Sequence, residues 1–213
     1  NTSKGYEFEL SGQPTDGLNL SINVSKTDAS QTDLGKSLQE FIVKQYEKYQ
    51  SPAGDLRLWW GGDRTLRENY EESIWAAYKF QLETNGKMVA ELAPWRVNMV
   101  ANYAFQDGLL KGSNVGVAYR WEDRHILGYA LNETRDNMDI DKPYWSDTYD
   151  HFDVWAGYER MITGKIKWRI QLNIRSLGED VSLVPLSVQP DGTPAQFRIQ
   201  EGMTWSLTNT FSF

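Results

Sequence analysis

The sequence predicts an all-β protein: an antiparallel transmembrane β-barrel, present as about seven strands and so as a partial barrel, with short helices in a long extracellular loop. Three observations predict it. Apolar and polar residues alternate with a period of two through segments of about ten residues, the length of a tilted strand that crosses a bilayer. The connections alternate between short and long, as in outer-membrane barrels, whose turns are short on one side of the membrane and long on the other. Aromatic residues are abundant: 9 Trp, 11 Tyr and 8 Phe among 213 residues, many at segment ends. No run approaches the ~20 apolar residues of a membrane-spanning helix. The low average hydropathy is that of strands in which every second residue is polar.

Strands are expected near residues 5–11, 18–25, 95–106, 114–122, 151–160, 165–175 and 202–213. The first sets Tyr6, Phe8 and Leu10 against Glu7, Glu9 and Ser11, and the second sets Leu18, Leu20, Ile22 and Val24 against Asn19, Ser21, Asn23 and Ser25. The third carries an apolar row from Trp95 through Val97, Met99, Ala101 and Tyr103 to Phe105. In the fourth, Val115, Val117, Tyr119 and Trp121 alternate with Asn114, Gly116, Ala118, Arg120 and Glu122. The fifth pairs Phe152, Val154, Ala156 and Tyr158 with Asp153, Gly157 and Glu159; Trp155 falls out of phase. The sixth alternates Ile166, Trp168, Ile170, Leu172 and Ile174 with Lys167, Arg169, Gln171, Asn173 and Arg175. The last places Met203, Trp205, Leu207, Phe211 and Phe213 on one face, broken by Asn209.

Alternation alone also describes a soluble antiparallel sandwich, which buries one face and wets the other. The connection lengths favour the barrel: Gly12 to Gly17, Gln106 to Ser113 and Ile162 to Gly164 are short, whereas 26–94, 123–150 and 176–196 are long. Aromatic residues at strand ends point the same way, since Trp and Tyr settle where hydrocarbon meets headgroups. Trp95, Phe105, Tyr119, Trp121, Phe152, Tyr158, Trp168, Trp205 and Phe213 are the expected membrane-interface aromatics.

A formal charge of −7 argues against a nucleic-acid partner, which requires a basic footprint. The absence of Cys leaves no disulfide or thiolate chemistry. The first long loop is expected to hold two helices, one capped by Thr32 or Asp33 and running through Leu38, Phe41, Ile42, Gln45 and Tyr49, the other capped by Thr65 and ended by Asn85 and Gly86. Between them, Arg57, Trp59, Trp60, Arg64 and Arg67 are candidate ligand contacts; the alternative is that the Trp pair packs the helices together or onto the barrel rim. In the second loop, Asp136, Asp139, Asp141, Asp147, Asp150 and Asp153 supply oxygens of the kind calcium takes, but no Gly follows Asp141 as an EF-hand requires. A solvated acidic loop is expected, with no metal site and no cofactor. His125 and His151 read as interfacial polar residues rather than catalysts, because no Gly-x-Ser-x-Gly or comparable nucleophile motif accompanies them.

The C-terminal strand, Gly202 to Phe213, resembles the terminal signal of bacterial outer-membrane barrels. The wider run, from Lys4 to Leu10, Leu18 to Val24, Trp95 to Phe105, Leu110 to Gly112, Val115 to Trp121 and Trp168 to Asn173, resembles the last third of the barrel of a TonB-dependent outer-membrane receptor. That resemblance implies active import of a scarce small-molecule ligand (iron–siderophore, cobalamin or glycan) through a barrel of ~22 strands, with outer-membrane lipid around it, a plug inside it and TonB acting through the plug. It also implies a fragment: residues 1–213 as the C-terminal portion, the plug and earlier strands lying elsewhere, and the C-terminus in the periplasm. Glu7, Glu9, Arg120, Glu122, Glu159, Lys167, Arg169 and Arg175 are expected on the inner face, where ion pairs would hold the plug.

Overall fold

The computed structural model describes residues 2–32, 36–135 and 137–213. Seven strands form one antiparallel sheet: β1 (Thr2–Thr15), β2 (Leu18–Ser30), β3 (Trp95–Ala104), β4 (Ser113–Glu122), β7 (Tyr149–Thr163), β8 (Ile166–Arg175) and β11 (Thr204–Ser212). Each pairs with the next, so β1 and β11 run in the same direction and are left as open edges. Among the described residues no helix is long and apolar enough to cross a membrane.

The register sorts the side chains into two faces, because directly opposed residues share a side. Val24, Val97, Trp121 and Asp150 lie in one cross-strand row, and Ile22, Met99, Tyr119 and Phe152 in the next. Val154, Ile174 and Trp205 continue the apolar face, as do Ala156, Leu172 and Leu207. On the other side Asn23, Asn98, Arg120 and His151 are aligned, with Glu159, Arg169 and Thr210 further along. Asn209 is the polar intruder on the apolar face; the Trp168 indole N–H donates to its Oδ1 at 3.3 Å, so its amide is not left bare.

Among the described residues nothing covers the apolar face. Trp205 is 69% exposed and Leu207 and Phe211 are each 53% exposed. A sandwich would cover these residues with a second sheet, and among the described residues no second sheet lies over them. The buried hydrophobic residues lie instead in the connections: Leu58, Tyr70, Tyr78, Ala93, Ile126 and Tyr129.

Those connections are more ordered than the sequence suggested. Residues 123–150 contain a hairpin of β5 (Ile126–Leu131) and β6 (Met138–Trp145), and residues 176–196 lead into another, β9 (Ser182–Val188) with β10 (Pro194–Gln200). Interrupted registers in both hairpins hide their alternation from a period-two reading. The first connection holds α1 (Lys36–Tyr49), a 3-10 turn (Pro52–Asp55), α2 (Leu66–Tyr70), a π-helical turn (Glu71–Trp75) and α3 (Ala76–Thr84). Thr65 caps α2 with a reciprocal capping box to Glu68. Asp33 lies outside the described residues, and Thr32 stands well before the first helical residue, Lys36. The short connections turn tightly; Gly17 adopts φ +84°, and a Cβ there would strike the Ala104 carbonyl.

All three long connections meet at one end of the sheet. Phe80 packs on Tyr129 with centroids 5.6 Å apart, and the Asn137 side-chain N–H donates to Glu83 Oε1 at 3.2 Å, joining α3 to the first hairpin. The Tyr144 hydroxyl donates to the Pro190 carbonyl at 3.3 Å, joining that hairpin to the second.

Two faces of opposite polarity make a sharp prediction. Leu172→Arg places a charge at the middle of the apolar face and should cost about 2–4 kcal/mol of folding into bilayers. Gln171→Arg, one residue away on the polar face, should be tolerated. Equal effects in a vesicle-insertion titration would contradict the assignment of faces.

Candidate functional site

The nominated aromatic pair sits at the apex of a small closed loop. Arg57 bridges to Thr65, the Leu58 N–H donates to the Arg64 carbonyl at 2.9 Å, and the Leu66 N–H donates to the Leu56 carbonyl at 2.9 Å. Leu58 points inward and is buried, so the turn that follows lifts Trp59 and Trp60 clear of the loop. Trp59 is 90% exposed and Trp60 63%, and their rings meet edge to face at 5.3 Å. The ring contact described for each is with the other. Tyr46 stacked on Trp75 at 3.9 Å joins the helices, aided by the Tyr70 hydroxyl donating to the Ile42 carbonyl at 2.8 Å.

The three arginines brace this loop. The Arg57 guanidinium donates to the Gly62 carbonyl at 2.8 Å and to Asp63 at 2.5 Å. Arg64 is ion-paired with Glu72. Arg67 donates to the Tyr49 and Ser51 carbonyls at 3.0 and 3.3 Å and pairs with Asp55 at 2.9 Å, tying α2 to the end of α1.

A second constellation lies on the polar face where the strands meet the folded connections. A cavity of about 360 Å³ is lined by Arg96, Arg120, Tyr149, His151, Arg198 and Gln200, among others. His151 Nδ1 is 2.7 Å from Glu179 Oε1, and the Gln200 amide donates to Glu179 Oε2 at 3.2 Å. The Tyr149 hydroxyl donates to Gln200 Oε1, and the Arg198 guanidinium lies 5.3 Å over the Tyr149 ring. Gln200 and Arg198 belong to β10, so this network fastens the second hairpin to the wall. Arg120 pairs with Asp153 at 3.1 Å, and Asp153 also accepts from the Ser176 N–H at 3.0 Å.

His151 lies on the polar face opposite Arg120, near the start of β7. His125 is half-buried in the connection after β4, with Nδ1 3.2 Å from Ser146 Oγ. Burial holds its pKa below the ordinary histidine range, and Arg198 adds to the effect while Glu122 and Glu91 oppose it. The acidic loop is dispersed. Asp139 pairs with Lys142 at 3.1 Å, which with the Asp141 N–H keeps its carboxyl below the usual range, and Asp153 points to Arg120. Asp136 lies outside the described residues; among those described, no three His, Asp or Glu side chains converge on a metal-sized site.

Tyr149, Glu179, Arg198 and Gln200 escaped the sequence reading. The alternation of Gln196, Arg198 and Gln200 with Phe197 and Ile199 was the available signal. It lay across the junction of a loop and the final strand.

The aromatic residues expected at a membrane interface fall into two rows. Trp95, Tyr119, Trp121, Phe152 and Trp205 lie at the end of the sheet nearest the folded connections, and Phe105, Tyr158 and Trp168 at the other, beside Tyr103 and Phe211. Tyr103 and Phe105 meet edge to face at 5.0 Å, and Phe213, beyond β11, is exposed. Aliphatic residues separate the rows.

An open antiparallel sheet with one largely apolar and one largely polar face, aromatic rows at both ends and folded connections at one end has the architecture of part of a transmembrane β-barrel wall. No protein-family model and no curated relative matches the sequence. The solved structures do. The ferripyoverdine receptor of the outer membrane of Pseudomonas aeruginosa, bound to ferripyoverdine, aligns with 99% of this chain at 15% identity and a TM-score of 0.52. BauA, the ferric preacinetobactin receptor from Acinetobacter baumannii, aligns with 99% at 12% identity and a TM-score of 0.53, and the siderophore receptor PiuA from the same organism with 99% at 17% and 0.50. This chain spans 19% of the first, 22% of the second and 21% of the third. At these identities the likeness is one of fold.

The capping box makes α2 sensitive to acid. Hydrogen bonds from the Thr65 backbone and side chain lower the Glu68 pKa, so its contribution is complete above the ordinary glutamate value of ~4.3 and is lost as pH falls through the lower folded value. Amide-exchange protection of α2 should stay level from neutral pH down to about 5 and weaken below about 4. Glu68→Gln should remove this pH dependence; a slope unchanged by the substitution would show that another group is responsible.

Proposed function

We propose that this chain forms part of the barrel wall of a TonB-dependent outer-membrane receptor, which imports a scarce ligand from outside the cell. The observation that carries the reading is one antiparallel sheet with an uncovered, largely apolar face and a largely polar, hydrogen-bonded face, Asn209 and Trp155 being the departures. Outer-membrane lipid covers the first, with Trp95, Trp121, Phe152 and Trp205 in one headgroup girdle and Phe105, Tyr158, Trp168 and Phe213 in or beyond the other. The second lines a lumen that holds the plug, through which TonB acts.

Further strands pair with β1 and β11. Each unpaired backbone group in hydrocarbon costs several kcal/mol, so two open edges together would cost roughly tens of kcal/mol. Because the edges run in the same direction, they cannot close on one another in an antiparallel barrel.

The folded connections face outward and the C-terminus lies in the periplasm. A ferric siderophore is the cargo that best matches the receptors of like fold, two of which are ferripyoverdine and ferric preacinetobactin receptors; cobalamin and glycans are the other classes such barrels carry. Trp59 and Trp60 make first contact with ligand, braced by Arg57, Arg64 and Arg67. Covering an indole removes about 200 Å² from water, worth up to roughly 5 kcal/mol.

Two measurements test this. The chain has no cysteine, so single substitutions report cleanly. Glu133→Cys, in the first hairpin's turn, should react with a membrane-impermeant maleimide on intact cells, and Gly164→Cys only after the outer membrane is opened; the reverse pattern overturns the orientation. Replacing Trp59 and Trp60 together by alanine should lower ligand affinity at the cell surface by about tenfold or more, equivalent to at least ~1.4 kcal/mol. Unchanged affinity would remove the pair from the ligand site.

A further inference from the structure

Trp155 is out of phase with the apolar residues of its strand, and the fold shows where it goes. It is on the polar face, directly opposite Gly116 of β4 and Asn173 of β8. Its indole lies so close over Gly116 that a Cβ there would overlap the ring, and its N–H donates to Asn102 Oδ1 at 2.9 Å. The neighbouring pair repeats the arrangement in reverse: Asn114 lies over Gly157, and its amide donates to the same Asn102 oxygen at 3.2 Å. Two glycines on paired strands thus let two large side chains lie flush with the wall, fixed through one acceptor.

Trp155 is half-buried, with wall beneath it and space beside it. A cavity of about 530 Å³ is bounded by Trp155, Ala118, Asp153, Asn173 and Arg175, and a second of about 380 Å³ runs from Asn98 past Arg120 to the same Ala118, Asp153 and Arg175. Arg120 and Asn98 are shared with the cavity beside His151. A continuous line of concave surface therefore descends the polar face from the Arg198 network to the indole. Below Tyr149 and His151, Trp155 is the one aromatic ring on this face of the described strands.

We infer that Trp155 is a stacking platform for a ring of the transported ligand, either an aromatic chelator ring or the apolar face of a sugar. A flat ring on the indole would gain dispersion and π contact, while Asn173, Arg175 and Asp153 hydrogen-bond its substituents. The inference rests on the import reading for its biological meaning, but the binding can be read without import.

The test uses the protein isolated from the outer membrane in detergent with 5-fluorotryptophan incorporated, the Trp155 fluorine signal being assigned by its loss in Trp155→Phe. Catechol and methyl β-glucoside are added in separate titrations, with acetohydroxamate as a ringless control. The Trp155 signal should shift saturably with at least one ring compound and not with acetohydroxamate, and which compound acts distinguishes chelator from sugar. Asn102→Ala, which frees the indole, should weaken the response severalfold; Gly116→Ala should abolish it. A Trp155 signal unmoved by both ring compounds, as when the plug covers the indole, or moved equally by acetohydroxamate, overturns the platform. Shifts in a protein that imports nothing would contradict the transport reading and leave the platform standing.

Discussion

Backbone hydrogen bonding inside hydrocarbon is the constraint on which this structure depends. A chain that enters lipid must pair every N–H and C=O with another part of the protein, because no water is available to do so. The sheet meets that requirement over its interior strands, where β2, β3, β4, β7 and β8 are each paired on both sides. Once pairing holds the strands in register, the period of two decides everything across the sheet: one phase becomes the apolar row and the other the polar row. The polar side chains then satisfy one another. Asn23 donates to Glu7 at 2.7 Å, Lys167 pairs with Glu159 at 2.5 Å, and Arg169, Gln171 and Asn173 form a hydrogen-bonded line along β8.

The hydrophobic core of the molecule is elsewhere. Tyr78, Tyr129 and Ile126 are buried among the folded connections, which are built as a water-soluble protein is built, with capped helices, hairpins and a small apolar centre. Among the connections an aromatic contact, Phe80 on Tyr129, is joined by hydrogen bonds from Asn137 to Glu83 and from Tyr144 to Pro190. Between the second hairpin and the wall the joints are polar, through Tyr149, His151, Glu179 and Gln200.

The strands of the large sheet were legible in the sequence because alternation runs through about ten residues in most of them and is broken only locally, as at Trp155 and Asn209. The two extra hairpins were not legible: each is short, and shifted registers near Gly128 and Gln196 break the period. Thr65 was legible as a cap since capping chemistry is local, whereas the exposure of Trp59 and Trp60 depends on Leu58 filling the space beneath them. Trp155 stood out in the sequence only as an exception. Its meaning depends on Gly116, which is distant in sequence and meets it only through the pairing of β4 with β7.

The central claim is that lipid touches one face of this sheet and water or plug the other. Depth-resolved fluorescence quenching in vesicles of brominated lipid tests it directly, using full-length variants that each retain one of the strand tryptophans. Trp95, Trp121, Trp168 and Trp205 should be quenched by bromine on the acyl chains, most strongly by bromine placed near the headgroup, and Trp155 should not be quenched at any depth. Quenching of Trp155, or none at Trp168 and Trp205, would contradict the account.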